Sequence, residues 1–353
     1  MQGYRLLGMM QSYFTRKMTG YLDYKGIPYR LRRFYGTSPE AIAAGFPGGI
    51  PALQAPDGEL MWDSTALIHH LESRFPEPSV FPPDPMRRFL DYMIEDAADE
   101  WLYRPAVGSR WCFAENHAVG GYELARDFTT QTPIPCDQAY VLTGAHVRST
   151  LAPLGVTPEN VQFWIDEVLR PWQRAVGVHL AERPCLFGVR PSLADFGLFG
   201  GNAAHFVNDP LCRRWTDEDA PAVVRHTSRL LEPDDQPFGD WDAPAEVPAT
   251  LVALLSELGR MYLPWVSRAC VDGAADVVFD GGARVSISAT EFLRDARGVL
   301  LARYAALRDA RLDAVLERAG VLRYFAGFTE HATAIPDPRD PPRPKLNRPF
   351  PPR

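Results

Sequence analysis

Residues 12–34, SYFTRKMTGYLDYKGIPYRLRRF, contain a helix, its stop signal and the strand that follows. Met18, Tyr21 and Leu22 fall on one face of a helix spanning Phe14–Lys25, and Gly26 stands where a left-handed stop residue belongs. Tyr29–Phe34 then alternates apolar and basic side chains, the pattern of a half-buried strand. Upstream, Tyr4–Met10 reads as a strand, so Ser12 lies at the handover from strand to helix. Backbone N–H groups and the helix dipole favour an anion at that point. A thiol bound there would have its pKa lowered, because the thiolate is the form being stabilised, by about 1.4 kcal/mol for each pH unit. Serine before a helix is also an ordinary N-cap.

Working outward, Ser38–Ala44 reads as a short helix. Pro51–Gln54 and Glu59–Trp62 read as short strands around the turn Pro56-Asp57-Gly58. Ser64–Arg74 is a helix burying Leu67, Ile68 and Leu71. The order β-α-β-α-β-β-α defines an α/β domain over residues 1–76. FPEPSVFPPDP (75–85) carries five prolines, so 77–85 is a linker. From residue 86 to 330 the signals are mainly helical, which predicts an all-α domain with extra helices. Met86–Tyr103 places Leu90, Ile94, Ala97 and Trp101 on one face, and Asn160–Ala181 does the same with Val161, Trp164, Val168 and Trp172. Ser192–Val207, Pro248–Ala269 and much of 289–324 are further helices. Val277–Asp280 and Ala283–Ser288 flank Gly281-Gly282 and predict one β-hairpin. Residues 208–330 should pack onto the helical domain, since the apolar faces Leu251, Leu254, Leu255, Leu258 and Phe292, Val299, Leu300, Tyr304 need a partner. Residues 232–248, acidic and Pro-rich, read as an exposed loop. The tail 331–353 holds eight prolines from Pro336 onward, which excludes helix and central strand.

A formal charge of −7 argues against a nucleic-acid partner. Five scattered cysteines without a Cys-x-x-Cys pair signal neither a zinc knuckle nor a dithiol site, and a reduced, cytoplasmic setting fits them. The first residues lack a leader pattern, and no apolar run is long enough to span a membrane. His69-His70 lack a third ligand at helical spacing, so no metal is expected.

Two further segments carry candidate chemistry. In Gly48-Gly49-Ile50-Pro51, a cis Ile50–Pro51 bond at the edge of a four-stranded mixed sheet would present the Ile50 backbone to an extended peptide. Asp63-Ser64 opens a helix, where Ser64 and the first-turn N–H groups suit a carboxylate and Asp63 suits an ammonium; the plain alternative is an N-cap. A γ-glutamyl-cysteinyl-glycine tripeptide needs those contacts and a thiol-activating hydroxyl in one groove.

These segments resemble the glutathione S-transferases. SYFTRKMTGYLDYKGIPYRLRRF (12–34) is similar to their first helix and second strand, GGIPAL (48–53) to their cis-proline loop, and MWDSTALIHHLESRF (61–75) to their acidic-Ser helix start. RPCLFGVRPSLADFGLFG (183–200) resembles their helical-domain signature, a capping box with Ser192 as N-cap and Asp195 at N3, which makes Asp195 structural. The resemblance covers residues 4–105 and about 159–207. It implies a thioredoxin-like N-terminal domain, glutathione as co-substrate, and Ser12 as thiolate stabiliser, with Tyr13 and Thr15 as alternatives. It further implies Ile50 and Pro51 on the cysteinyl backbone, and Asp63 and Ser64 on the γ-glutamyl end. The family is commonly dimeric, so a homodimer is one expected assembly. Departures are Tyr13 where proline is usual, Gly49 where a lysine or glutamine often reaches the glycine carboxylate, and nearly 150 residues after the capping-box helix. Arg16, Lys17 and Arg33 are the basic residues available in place of that lysine.

Trp101, Tyr103, Arg104, Trp111 and Phe113 form an aromatic-rich run that, in the transferase layout, would line a pocket for an apolar electrophile; ordinary helix packing is the alternative. The sequence thus points to an enzyme adding the glutathione thiolate to a small apolar electrophile. A non-catalytic interaction or scaffold protein, or a glutathione-dependent reductase, dehalogenase or isomerase, are the rival readings.

Overall fold

The computed structural model describes residues 3–33, 49–130, 132–233, 239–242 and 247–333. The helix expected over Ser38–Ala44, Gly48, parts of the 232–248 loop and the proline-rich tail lie outside the described residues. Strand β1 (Tyr4–Gly8) pairs in parallel with β2 (Tyr29–Arg33) across the crossover helix α1 (Tyr13–Tyr24). β3 (Ala52–Gln54) runs antiparallel to β1, and β4 (Leu60–Trp62) antiparallel to β3. The strand order is therefore β2-β1-β3-β4, a mixed sheet followed by α2 (Ser64–Arg74). This is the thioredoxin-like arrangement expected from the sequence. Met18, Tyr21 and Leu22 are buried as their spacing requires, and Gly26 adopts φ 61° after the Lys25 cap. The Ile50–Pro51 bond is cis. It opens an inner strand rather than a sheet edge, because β3 lies between β1 and β4.

The remaining chain is helical apart from one hairpin. α3 (Pro85–Glu100) is capped by the Asp84 carboxylate, which accepts from Arg87 N at 3.2 Å, and it ends before α4 (Tyr103–Cys112) instead of running through Tyr103. α5 (Tyr122–Phe128) and α6 (Cys136–Ser149) follow. The helix expected over 160–181 is continuous to α7 (Arg170–Glu182), but Trp164–Leu169 is π-wound. Pro171 supplies the reason: with no N–H it cannot close the regular bond to the preceding turn. α8 (Leu193–Gly201) passes into a second π turn at Asn202–Phe206. α9 (Pro210–Asp219) and α10 (Pro221–Leu231) each start on proline, where a missing N–H costs nothing.

The helix expected over Pro248–Ala269 is two helices, α11 (Ala249–Arg260) and α12 (Tyr262–Asp272), broken at Met261 with Pro264 in the first turn of the second. The hairpin consists of β5 (Ala274–Val278) and β6 (Arg284–Ser288), whose longer turn carries Gly282 at φ 81°. The first strand runs Ala274–Val278, starting three residues earlier than expected, and Phe279 and Asp280 belong to the turn. α13 (Glu291–Leu307) and α14 (Ala310–Arg318) follow, with Asp309 accepting from Leu312 N at 2.8 Å to start the latter, and short helical turns at Arg323–Ala326 and Thr329–His331 come after them.

α8 sits at the centre, packed on α1 on one side and α3 on the other. Glycines make that approach possible: a Cβ on Gly20 would lie 2.5 Å from the Phe199 ring, and one on Gly200 2.7 Å from the Tyr13 carbonyl oxygen. One apolar cluster runs from Tyr4 through α3 and α8 to Leu251, Leu254, Leu255, Leu258, Leu300, Tyr304 and Phe325. Phe292, read from the sequence as part of that buried face, is instead 46% exposed.

Candidate functional site

The turn between β1 and α1 is held by two arginines, one from α1 itself and one from α4. Arg16 Nε donates to Met10 O at 3.0 Å, and Arg110 Nη1 donates to Gln11 O at 2.7 Å. Arg110 is itself buried and fixed by the Asp209 carboxylate at 2.9 Å and by Ala204 O. Ser12 follows, with extended backbone (φ −85°, ψ 131°) and its Oγ accepting from Thr15 N at 3.3 Å. Its hydroxyl is half-buried. The two alternative hydroxyls are not comparable. Tyr13 is buried and donates to Ala98 O at 2.8 Å; burial, with Asp99 and Glu95 nearby, holds its phenol well above the ordinary value. Thr15 is buried, and its Oγ1 accepts from Met9 N at 3.4 Å.

A cavity of about 580 Å³ opens beside this turn. Its wall on the thioredoxin-like side contains Phe14, Gly49, Ile50, Pro51, Trp62 and the start of α2 from Asp63 to Ala66. Thus Ile50, Pro51, Asp63 and Ser64 share one cavity, while Ser12 lies two residues before Phe14 and is not on its wall. Asp63 is the one non-glycine with positive φ (75°) among the described residues. Its Oδ1 accepts from Thr65 N at 3.2 Å and Ala66 N at 3.3 Å, which holds the strained backbone in place. Burial raises the Asp63 carboxyl above the usual range, against the lowering pull of the Ala66 N–H.

The opposite wall comes from α3 and from α13. Glu95, Asp96, Asp99 and Glu100 face the cavity from α3 together with Tyr92. Lys17, expected as one replacement for the missing carboxylate-binding lysine, is buried behind this wall. Its ammonium meets Glu95 at 2.5 Å and Asp99 at 2.6 Å and donates to Thr65 Oγ1 at 3.1 Å. Burial alone would lower its pKa, but Asp99 and Glu95 together raise it. Arg16 is committed to Met10 O, and Arg33 pairs with Asp127 at 3.0 Å, so none of the three lines the cavity. Burial pushes Asp99 up to about 7 despite Lys17, and pushes Asp96 up to about 6 even though Tyr262 donates to it at 2.6 Å. Glu100 is raised well above the carboxylate range by burial and then by Asp96 and Asp99.

From α13 come Phe292, Asp295, Ala296, Val299, Leu300 and Arg303, the i, i+3, i+4, i+7, i+8, i+11 face of one helix. Arg303 lies over the Tyr92 ring at 3.8 Å and donates to His69 Nε2 at 2.9 Å. His69 is stacked on Phe81 at 4.6 Å and lowered well below its ordinary pKa by burial, then by Arg303, whereas His70 points away.

The other sequence candidates lie elsewhere. Trp101 packs with Trp164, Tyr262 and Trp265 at ring distances of 4.8–5.6 Å. Arg104 lies over Trp265 at 4.5 Å and donates to Leu154 O at 2.6 Å. Trp111 is buried against His117. None of the three lines the cavity; Tyr262 and Trp265 of α12 cover Trp101, and Trp265 also covers Arg104. Tyr103 stands behind the cavity, 5.3 Å from Phe14 and 6.0 Å from Tyr13.

The capping box has both its reciprocal bonds: Ser192 Oγ accepts from Asp195 N, and the Asp195 carboxylate accepts from Ser192 N at 2.8 Å and also from Ser192 Oγ at 2.8 Å. Asp195 also accepts from Leu186 N at 3.1 Å and contacts His226 Nε2 at 2.8 Å. Cys185, Asp195 and His226 have ligand atoms within 4.8 Å of one another, but the Asp195 oxygens are already occupied by these donors and burial pushes the Cys185 thiol well up.

The four-stranded mixed sheet with its helices defines a thioredoxin-like N-terminal fold, and the cavity at the start of α2 is walled on its other side by the helical region. Residues 6–79 match the family model described as glutathione S-transferase, N-terminal domain. A maleylacetoacetate isomerase of Pseudomonas aeruginosa is 29% identical over 176 residues, which is 49% of this chain and 66% of that protein. The chain thus spans about two thirds of that relative's length. Among solved structures, the beta-etherase LigF of Sphingobium sp. strain SYK-6 overlays with a TM-score of 0.47 at 21% identity, over 65% of this chain and 95% of its own. A glutathione S-transferase of Methylobacterium radiotolerans, in complex with glutathione sulfonate, overlays with a TM-score of 0.42 at 18% identity, over 69% and 99%. No helix among the described residues is long and apolar enough to cross a membrane.

Proposed function

We propose that this protein binds glutathione in the cavity between the two regions and activates its thiol for attack on a small apolar electrophile. The observation that supports this best is the sharing of one cavity by Ile50, Pro51, Asp63 and Ser64, next to the α1 N-terminus. In this reading the Ile50 backbone pairs with the cysteinyl unit, while Ser64 and the first-turn N–H groups of α2 hold the γ-glutamyl carboxylate. Asp63 faces the ammonium. The Ser12 hydroxyl and the α1 dipole favour the thiolate, and the bound thiolate then attacks an electrophile held nearby. Ser12 is the reasonable hydroxyl because Tyr13 and Thr15 are buried and committed. Retention on immobilised glutathione and release by free glutathione are expected. A chain that passes through unretained, and shows no heat on titration with glutathione, would support the non-catalytic scaffold reading instead.

The isomerase relative supports a second reading. There the thiolate adds to a conjugated double bond, the resulting single bond rotates, and elimination returns the thiolate, so glutathione is not consumed. Maleylacetoacetate is the substrate to try. One thiol lost per turnover indicates transfer, and none indicates isomerisation.

A further inference from the structure

We propose that Arg303 is the carboxylate-binding residue of the cavity, a subsite that α13 adds to the thioredoxin-like wall. That helix lies far beyond residues 6–79, the part matched by the family model. Arg303 lines the cavity and is 5% exposed. Its guanidinium makes one hydrogen bond among the described residues, donating to His69 Nε2 at 2.9 Å, and it rests over the Tyr92 ring at 3.8 Å. Its Nε has no hydrogen-bond partner, and no carboxylate among the described residues is ion-paired with it. The two rings therefore fix the guanidinium without neutralising it. His69 accepts as a neutral ring, since burial and then Arg303 hold its pKa well below the ordinary value. A cation taken out of water with no anion beside it is costly, and a planar fork with an open donor matches a carboxylate.

The acids of the cavity do not fill that place. Lys17 lies between Glu95 and Asp99, and Asp63 caps α2. Asp96 accepts from Tyr262 at 2.6 Å, and Arg297 acts on it more strongly than Arg303 does. Burial, then Asp96 and Asp99, raise Glu100 well above the carboxylate range, which favours its neutral form. Asp295 stands eight residues before Arg303 on the same helix, about 12 Å away along its axis. The charges that act on His69 are all positive, those of Arg303, Arg88 and Lys17, so this corner is electropositive within a wall rich in acids. His69 belongs to α2, one turn beyond Thr65 and Ala66, which also line the cavity, and Val299 and Leu300 add apolar surface from α13. Two ligands can bring a carboxylate there: the γ-glutamyl end of glutathione, or a second substrate with an acid group on an apolar body.

This proposal rests on reading the cavity as the ligand site, and its test is kept apart from the glutathione reading. 3-Phenylpropionate and 3-phenylpropanol are titrated calorimetrically into the full chain at neutral pH, alone and with saturating S-methylglutathione. A second pair compares S-methylglutathione with its 4-aminobutanoyl analogue, which keeps the ammonium and lacks the γ-glutamyl carboxylate. In at least one pair the carboxylate ligand should bind about tenfold more tightly than its counterpart, the scale of one charge-assisted hydrogen bond. Arg303→Met should abolish that preference, and Arg303→Lys, which keeps the charge and loses the fork, should reduce it several-fold. A residue that only braced Tyr92 and His69 would lower Tm and weaken both members of a pair alike; a preference that survives Arg303→Met would overturn the proposal. So would equal binding within both pairs in the unmodified chain, a result that needs no variant to fold. A preference in the tripeptide pair assigns the carboxylate to glutathione, and a 3-phenylpropionate preference that persists beside bound S-methylglutathione assigns it to the second substrate. If S-methylglutathione does not bind, the glutathione reading falls, and the phenylpropionate pair alone decides the Arg303 site.

Discussion

Replacing Ser12 with alanine separates two jobs that one hydroxyl can hold. As a helix cap, Ser12 Oγ accepts from Thr15 N at 3.3 Å, a long bond at a half-buried position. Losing it should cost fold stability about 0.5–1 kcal/mol, the low end for an N-cap. As a thiolate partner, the same hydroxyl would donate to a charged sulfur, a bond of about 1.5–3 kcal/mol. That energy corresponds to a rise of about one to two pH units in the pKa of the bound thiol. The clamp at Ile50, Asp63 and Ser64 is untouched, so glutathione affinity should change little while turnover falls about ten- to a hundredfold. The assay is thiolate absorbance of bound glutathione against pH in both forms, with urea unfolding run alongside. If the thiol pKa does not move while stability drops, Ser12 is only a cap. Tyr13 and Thr15 are then poor substitutes, because both are buried and hydrogen-bonded, and the activating charge would have to come from the α1 dipole and the Arg16 and Arg110 braces.

Asp63→Ala should do the reverse and weaken glutathione binding roughly tenfold or more with little effect on the bound thiol pKa, read by calorimetry and the same titration; unchanged affinity would confine Asp63 to capping α2. Asp195→Ala strands Leu186 N, Ser192 N and His226 in the core and should destabilise the fold by roughly 3–6 kcal/mol in urea, more than Asp195→Asn; a loss below about 1 kcal/mol would contradict the capping-box role. Asp91 is buried in α3 with its carboxyl raised to about 8 by burial, one oxygen accepting from Ala194 N at 2.8 Å and the other without a partner. The folded state therefore keeps a proton that the unfolded chain has already released, so this contribution is complete below the unfolded value near 4 and is lost as pH rises through about 8. Between pH 7 and 8 the slope attributable to Asp91 is at most about 1.4 kcal/mol per pH unit. Asp91→Asn, which mimics the protonated acid, should flatten the fall in Tm over that range; an unchanged slope would mean the proton is held elsewhere.

Much of this was legible along the chain because local rules decide it. The Met18, Tyr21, Leu22 face and the Gly26 stop specify α1, and Pro56-Asp57-Gly58 specifies the β3–β4 turn, since periodicity and backbone permissiveness act over a few residues. Ser192 and Asp195 are three apart, so their reciprocal bonds are readable before any fold is known. Ile50, Pro51, Asp63 and Ser64 were readable as candidates for one site, and they do line one cavity, because each sits at an element boundary. Helix breaks were less legible: Pro171 and Pro264 leave an apolar period intact while changing how the backbone is hydrogen-bonded.

What tertiary structure alone decided is which charges and rings meet. Lys17 looked like a candidate for a substrate carboxylate, but Glu95 and Asp99, about 80 residues later, bury it in an ion pair. Trp101 looked like a pocket residue until Tyr262 and Trp265 from the chain's later helices closed over it. Phe292 looked like core and instead lines the cavity with the rest of one α13 face. Helical spacing tells which residues share a face but not what that face will touch. Burial and charge pairing are properties of the partner surface as much as of the residue, and here the partner surfaces lie about 80 to 160 residues away.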